Sequence, residues 1–128
     1  MEDNVTITWE GYVAMFQEAG GNKPLADGGT LMLHTSCFAE ELGEFSEAIA
    51  QYLEDPNEET RANLCKEWAD VQVTLSNFAW FFGFNGEEAF RRVAENNLSK
   101  CTNGVIVKRE DGKILKPEGY EKPDMKGL

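Results

Sequence analysis

Two segments decide the fold: FAEELGEFSEAIAQYL at residues 38–53 and LCKEWADVQVTLSNFAWFF at residues 64–82. In both segments apolar residues recur every three or four positions, which is the spacing of an amphipathic helix. The first stripe consists of Phe38, Leu42, Phe45, Ile49 and Leu53, and the second of Leu64, Trp68, Val71, Leu75 and Phe82. We therefore expect two helices that pack together through these stripes.

Each segment also carries two acidic residues three positions apart, Glu41 with Glu44 and Glu67 with Asp70. On a helix such residues share one face, and both pairs fall on the same flank of their stripes. Packing of the stripes brings four carboxylates into one cleft, where they cannot all stay ionised without positive charge nearby. Hard divalent cations prefer oxygen ligands. We therefore expect Glu41, Glu44, Glu67 and Asp70 to bind Mg²⁺, with Mn²⁺ also suited to the site.

Capping signals predict where the helices begin and end. The predicted helices cover residues 8–19 and 30–53, then a third that starts at the run 55–58 and continues to about 82, and a fourth at about 86–98. Thr8 is the expected N-cap of the first and Asn85 that of the fourth, and Gly83 ends the third. The run Asp55-Pro56-Asn57-Glu58 resembles a capping box with proline at the first helical position.

The residues from Cys101 onward have a different character. Val105–Val107, a turn at Asp111-Gly112 and then Ile114-Leu115 predict a small hairpin or extended arm. The whole pattern predicts one all-α domain over residues 1–128: a four-helix bundle, with a helical core at about 8–98 and an irregular C-terminal arm at about 101–128.

The composition limits the partners and the compartment. The formal net charge of −11 argues against binding a nucleic-acid polymer or an anionic membrane, both of which need a basic face. Three cysteines without paired spacing predict reduced thiols in a cytoplasmic protein. The N-terminus lacks an apolar signal segment, and the apolar run 78–84 is too short to span a bilayer.

The third helix has a second apolar strip, formed by Ala69, Val73 and Trp80 with Ser76 beside it. A helix that is apolar on two sides is buried on two sides. This pattern favours a homo-oligomer, either a two-fold dimer or a dimer of dimers. The alternative is that the first helix covers the strip.

A small group of cationic and amide side chains stands out in this acidic chain. At the end of the fourth helix, Asn97 and Lys100 share one helical face, and Arg109, Lys113 and Lys116 follow in the arm. Ammonium, guanidinium and amide groups bind phosphate well, although ordinary surface basicity explains the same pattern.

His34, the single histidine, lies on the same face as Glu41 and about two turns earlier. It is a candidate contact for a base or sugar, or else a structural residue. A di-iron carboxylate bundle needs Glu-x-x-His on two helices, which one histidine cannot supply.

Together these motifs resemble the MazG-like, all-α nucleoside triphosphate pyrophosphohydrolase superfamily. The marks of that family are ExxE on one helix and ExxD on the next. The segment 97–100, the run 109–116 and Gly119-Tyr120 are similar to the phosphoribosyl-ATP pyrophosphohydrolase-like branch, which is found in bacteria and phages. The resemblance covers roughly residues 30–124.

The resemblance implies an oligomeric, Mg²⁺-dependent enzyme that splits the α–β phosphoanhydride of a nucleoside triphosphate into a monophosphate and pyrophosphate. It implies catalytic roles for Glu41, Glu44 and Lys100. The substrate-binding residues it implies are Asn97, Lys100, Arg109, Lys113 and Lys116, with His34 as a further candidate. Two alternatives stay open: hydrolysis of phosphoribosyl-ATP, and a catalytically idle acidic bundle that binds nucleotide or a protein partner.

Overall fold

The computed structural model describes residues 7–25, 27–101 and 106–128. Within these residues the secondary structure consists of four α-helices, with no β-strand. They are α1 (Trp9–Ala19), α2 (Gly28–Glu54), α3 (Glu58–Phe82) and α4 (Gly86–Leu98). The all-α class expected from the sequence is confirmed. Of the helices described, none is long and apolar enough to cross a membrane.

Local capping bonds fix three of the predicted helix ends. The Thr8 hydroxyl accepts a hydrogen bond from the Gly11 N–H at 3.0 Å. The Asn85 side chain accepts one from the Glu88 N–H, also at 3.0 Å. Gly83 closes α3 in the left-handed conformation, with φ of 73°, which glycine adopts without strain.

The start of α3 differs from the prediction. Its N-cap is Asn57, whose side-chain oxygen accepts from the Thr60 N–H at 2.9 Å, while the Thr60 hydroxyl accepts from the Asn57 N–H at 3.1 Å. Asp55 instead ends α2, and its N–H donates to the Gln51 carbonyl. Pro56 disfavours helical geometry in the residue before it, so the break between helices falls at Asp55 and the new cap comes after the proline.

The chain divides into two compact units, one ending at Phe84 and the other beginning at Asn85. In the first, α2 and α3 pack as an antiparallel hairpin. The Phe38 ring meets the Phe78 ring edge-on at 5.3 Å between centroids, and His34 stacks on Phe81 at 3.9 Å. Phe78 completes the α3 stripe at helical spacing between Leu75 and Phe82, although the expected stripe omits it.

Helix α1 packs against α3. The Trp9 ring lies edge-on to Trp68 at 6.3 Å, and Gln17 donates a side-chain hydrogen bond to Asn77 at 2.8 Å. On the second strip of α3, Ser76 is buried and Trp80 half-buried, but Ala69 and Val73 are exposed. Part of this strip therefore stays open to solvent even though α1 packs on the same helix.

The second unit consists of α4 and the arm. Asn96 joins the two parts: its amide donates to the Glu121 carbonyl at 2.7 Å, and its side-chain oxygen accepts from the Tyr120 hydroxyl at 2.6 Å. The prediction of a single functional domain over residues 1–128 stays a prediction.

The arm turns at Asp111-Gly112, as the sequence predicts. The turn closes an antiparallel bridge between Lys108 and Ile114, and Gly112 has a φ of 88°. Val105, which the sequence places at the start of this arm, lies outside the described residues.

Candidate metal centre

Three carboxylates from the α2–α3 hairpin converge. Glu41 of α2 and Glu67 and Asp70 of α3 each offer an oxygen, and these oxygens all lie within 4.8 Å of one another. Glu67 is buried, and the other two are half-buried. We call these three residues the acidic cluster. The matching flanks of the two apolar stripes thus bring together three of the four carboxylates expected to meet.

Two oxygens of the acidic cluster have no hydrogen-bond donor. Oε2 of Glu41 and Oε2 of Glu67 are shielded from solvent and accept no hydrogen bond from any residue that the structure describes. Leaving a buried acceptor unpaired is costly, and buried polar atoms in proteins are usually satisfied. An all-oxygen donor set of this kind suits Mg²⁺ or Mn²⁺, so the residues present fit the metal expected from the sequence.

The electrostatics of the cluster act most strongly on Glu41. Burial raises the pKa of the Glu41 carboxyl above its ordinary value, and the negative charges of Glu44, Asp70 and Glu67 raise it further. Both causes disfavour the ionised form. A cation in the cleft would therefore stabilise the ionised form of Glu41, which its surroundings disfavour.

Glu44 lies one turn beyond Glu41 but outside the acidic cluster. Its side chain is exposed, and it is the neighbouring carboxylate whose charge raises the pKa of Glu41 most. The charge of Glu44 thus acts on the acidic cluster, although its side chain lies outside it. Its assignment as a fourth metal ligand stays a prediction.

Lys66 is a member of the site that the sequence interpretation missed. Its ammonium lies 2.7 Å from Oδ2 of Asp70 and 3.3 Å from Oε1 of Glu67. These contacts raise the pKa of Lys66, mainly through the hydrogen bond to Asp70. The signal was present in the sequence, because Lys66 stands four positions before Asp70, where helical side chains meet.

In the second unit, Tyr120 gathers two of the predicted substrate-binding lysines. The ammonium groups of Lys100 and Lys116 each lie 5.4 Å from the centroid of its ring, within the range of a cation–π contact. Lys100 also donates to the side-chain oxygen of Asn97 at 2.9 Å. In the described part of the chain, neither ammonium forms an ion pair with a carboxylate.

The other two cationic candidates lie at the turn of the arm. The Arg109 guanidinium binds both carboxylate oxygens of Asp111, at 2.6 and 3.2 Å, so its charge is already compensated. The Lys113 side chain is exposed, while its backbone N–H donates to Asp111. Their contact with substrate stays a prediction.

His34 is held by packing. Its ring stacks on Phe81, which is fully buried, and burial lowers the pKa of the imidazole below its ordinary value. The ring is therefore neutral at pH 7. Its contact with a base or sugar stays a prediction.

No model of a known protein family matches this chain. A search of curated proteins finds no significant match.

Proposed function

We propose that this chain is a Mg²⁺-dependent nucleoside triphosphate pyrophosphohydrolase of the MazG-like type. It cleaves the α–β phosphoanhydride of a free, deoxy nucleoside triphosphate and releases the monophosphate and pyrophosphate. It acts in the cytoplasm, where such nucleotides occur, and does not bind nucleic-acid polymers or membranes.

The observation that carries this proposal is the pair of unsatisfied oxygens in the acidic cluster. A cluster whose only purpose was surface charge would expose its carboxylates to water, which solvates them at no cost. Here Glu67 is 92% buried and its Oε2 accepts no hydrogen bond from the described residues. A hard cation is the simplest partner for such atoms.

The acidic residues of the α2–α3 hairpin have two different roles in the proposed reaction. The chemistry supplied by Mg²⁺, when bound, is neutralisation of phosphate charge and activation of a water molecule. Glu41, Glu67 and Asp70 hold the ion. Glu44, exposed and one turn from Glu41, is free to accept the proton from the attacking water, as a general base does.

Lys100, just after the end of α4, and Lys116 of the arm bind the phosphate oxygens. Lys100 and Lys116 are held near the Tyr120 ring without a carboxylate partner among the described residues, so their charge is available to an anion. Asn97 positions Lys100 through its hydrogen bond. Charge-assisted bonds of this kind stabilise phosphate strongly, which explains how so acidic a chain binds an anionic substrate.

The test is a panel of standard and modified nucleoside triphosphates, together with phosphoribosyl-ATP, incubated with Mg²⁺ in ¹⁸O-labelled water. We expect pyrophosphate as the product, with the label in the monophosphate, because water attacks the α-phosphorus. Release of orthophosphate would contradict the proposal. Cleavage of phosphoribosyl-ATP alone would show that phosphoribosyl-ATP is the substrate. Binding of nucleotide without hydrolysis would indicate a catalytically idle nucleotide-binding module.

We also propose that the chain acts as a homodimer or a dimer of dimers. Large apolar side chains of α3 stay exposed although two helices pack on it: Trp68 and Val73 are each 50% exposed and Leu75 is 46% exposed. On α2, Leu53 is 73% exposed. Apolar surface of this extent is typical of protein interfaces, and a second copy of α2 and α3 offers a matching apolar surface.

The oligomer is tested by analytical ultracentrifugation of the wild type and two variants. We expect Val73→Lys to lower the mass from the two or four times that of one chain expected for the wild type, because it places a charge in the apolar interface. Gln51→Lys adds the same charge at an exposed polar position of α2 and should leave the mass unchanged. A monomeric wild type would contradict the proposal.

A further inference from the structure

The acidic cluster already contains one cation, the ammonium of Lys66. It contacts Oδ2 of Asp70 and Oε1 of Glu67, which are oxygens of two of the three converging residues. Lys66 is the one cationic side chain that forms an ion pair with the cluster among the residues described. A single positive charge thus stands against three carboxylates.

The neutralisation by Lys66 is incomplete in a specific way. Its two contacts leave Oε2 of Glu41 and Oε2 of Glu67 without any partner among the described residues. The ammonium contacts one oxygen of Glu67 and one of Asp70, whereas each of the three converging residues offers an oxygen to a single ion. A divalent ion also brings twice the charge and is therefore the stronger counter-ion for the cluster.

Lys66 is able to leave the cluster. Its side chain is 64% exposed, against 35% for Asp70 and 11% for Glu67. Exposed ion pairs contribute little net stability, because water solvates both charges well when they separate. Moving the ammonium into solvent therefore costs little compared with moving either carboxylate.

We propose that Lys66 is a built-in counter-cation, which occupies the acidic cluster without metal and is displaced when a divalent ion binds. It thereby lowers the affinity for metal and gives the metal-free protein a small stabilisation. This inference rests on the proposed function, since it requires that the acidic cluster bind a divalent ion. It assigns to Lys66 a role in positioning charge, not in contacting the substrate.

The test uses Lys66→Met, which keeps an unbranched side chain but removes the charge. Mn²⁺ binding to the full chain is measured by electron paramagnetic resonance, and melting temperatures are measured with and without Mg²⁺. We expect Mn²⁺ to bind at least threefold more tightly than to the wild type. We also expect the variant to melt at a lower temperature than the wild type without metal. Its melting temperature should rise more on addition of Mg²⁺. A generally destabilised protein would not show these two opposite shifts.

Two further variants serve as controls. Lys23→Met removes a charge from an exposed loop lysine and should leave the Mn²⁺ affinity within twofold of the wild type. Lys66→Arg keeps a cation beside Asp70 and should retain the wild-type affinity and metal-free stability.

Unchanged or weaker Mn²⁺ binding by Lys66→Met overturns the inference and leaves the metal centre standing if the wild type binds the ion. Equal tightening by Lys23→Met also overturns it, because the effect is then one of net charge. If neither the wild type nor Lys66→Met binds Mn²⁺, the inference falls together with the proposed metal centre.

Discussion

Glu41→Gln is expected to lower Mg²⁺-dependent hydrolysis by about a hundredfold or more. Glutamine has the shape of glutamate but lacks its charge, so one of the three converging oxygens no longer attracts the ion. The stabilisation by metal should also disappear: an ion present at about a hundred times its dissociation constant contributes about 2.7 kcal/mol. Steady-state rates and thermal melts with and without Mg²⁺ measure both effects.

The same variant should melt at a higher temperature than the wild type at pH 7 without metal. The pKa of Glu41 is raised in the folded protein, first by burial and then by Glu44, Asp70 and Glu67. The native state therefore binds this proton more tightly than the unfolded state. The stability that protonated Glu41 gives to the folded wild type is fully present below the unfolded pKa of this residue. It is lost as the pH rises through the folded pKa. The difference in melting temperature between the variant and the wild type should consequently become smaller when the pH is lowered toward 4.

Glu40→Gln is the matched control for this experiment. Glu40 precedes Glu41 on α2, is exposed, and lies outside the acidic cluster. It should keep wild-type activity and show no raised melting temperature. If Glu41→Gln gains as much stability from Mg²⁺ as the wild type does, the metal binds elsewhere.

Lys100→Ala is expected to lower activity on the best nucleotide by at least tenfold while leaving Mg²⁺ binding intact. A hydrogen bond between an ammonium and a phosphate oxygen contributes roughly 1.5–3 kcal/mol, which corresponds to about a ten- to hundredfold effect. Lys100 is held by Asn97 and by the Tyr120 ring, so its charge is positioned before substrate arrives. Steady-state kinetics give the loss, and the Mg²⁺-induced shift in melting temperature shows that the metal centre is unaffected.

Lys122→Ala supplies the comparison, since Lys122 is an exposed lysine of the arm and belongs to the same compact unit as Lys100. It removes the same charge and should change activity by less than twofold. Equal losses in the two variants would mean that only the net charge of this unit matters. Full activity of Lys100→Ala would remove Lys100 from the site.

The features that the sequence predicted well are those that local chemistry decides. Thr8, Asn85 and Gly83 end helices through bonds or backbone angles that span only a few residues. The start of α3 was predicted wrongly because Asp55 and Asn57 are both good caps. The choice between them depends on how far α2 continues, which its packing against α3 decides.

For the candidate site, helical spacing was enough to predict that Glu41, Glu67 and Asp70 lie close together. It could not give the depth of each side chain, which depends on how closely the helices approach, and so it did not distinguish buried Glu67 from exposed Glu44. The contacts of Tyr120 with Asn96, Lys100 and Lys116 depend on how the arm folds onto α4. No periodicity in the sequence encodes that arrangement.

The short connection between α2 and α3 has a consequence for the order of folding. Only three residues, 55–57, separate the two helices that carry the acidic cluster. The entropy lost in closing a loop grows with its length, and contacts between nearby parts of a chain form fastest. The hairpin and its carboxylates are therefore expected to form early in folding. A chain at this stage already presents three converging acids, with Lys66 among them as their first counter-ion.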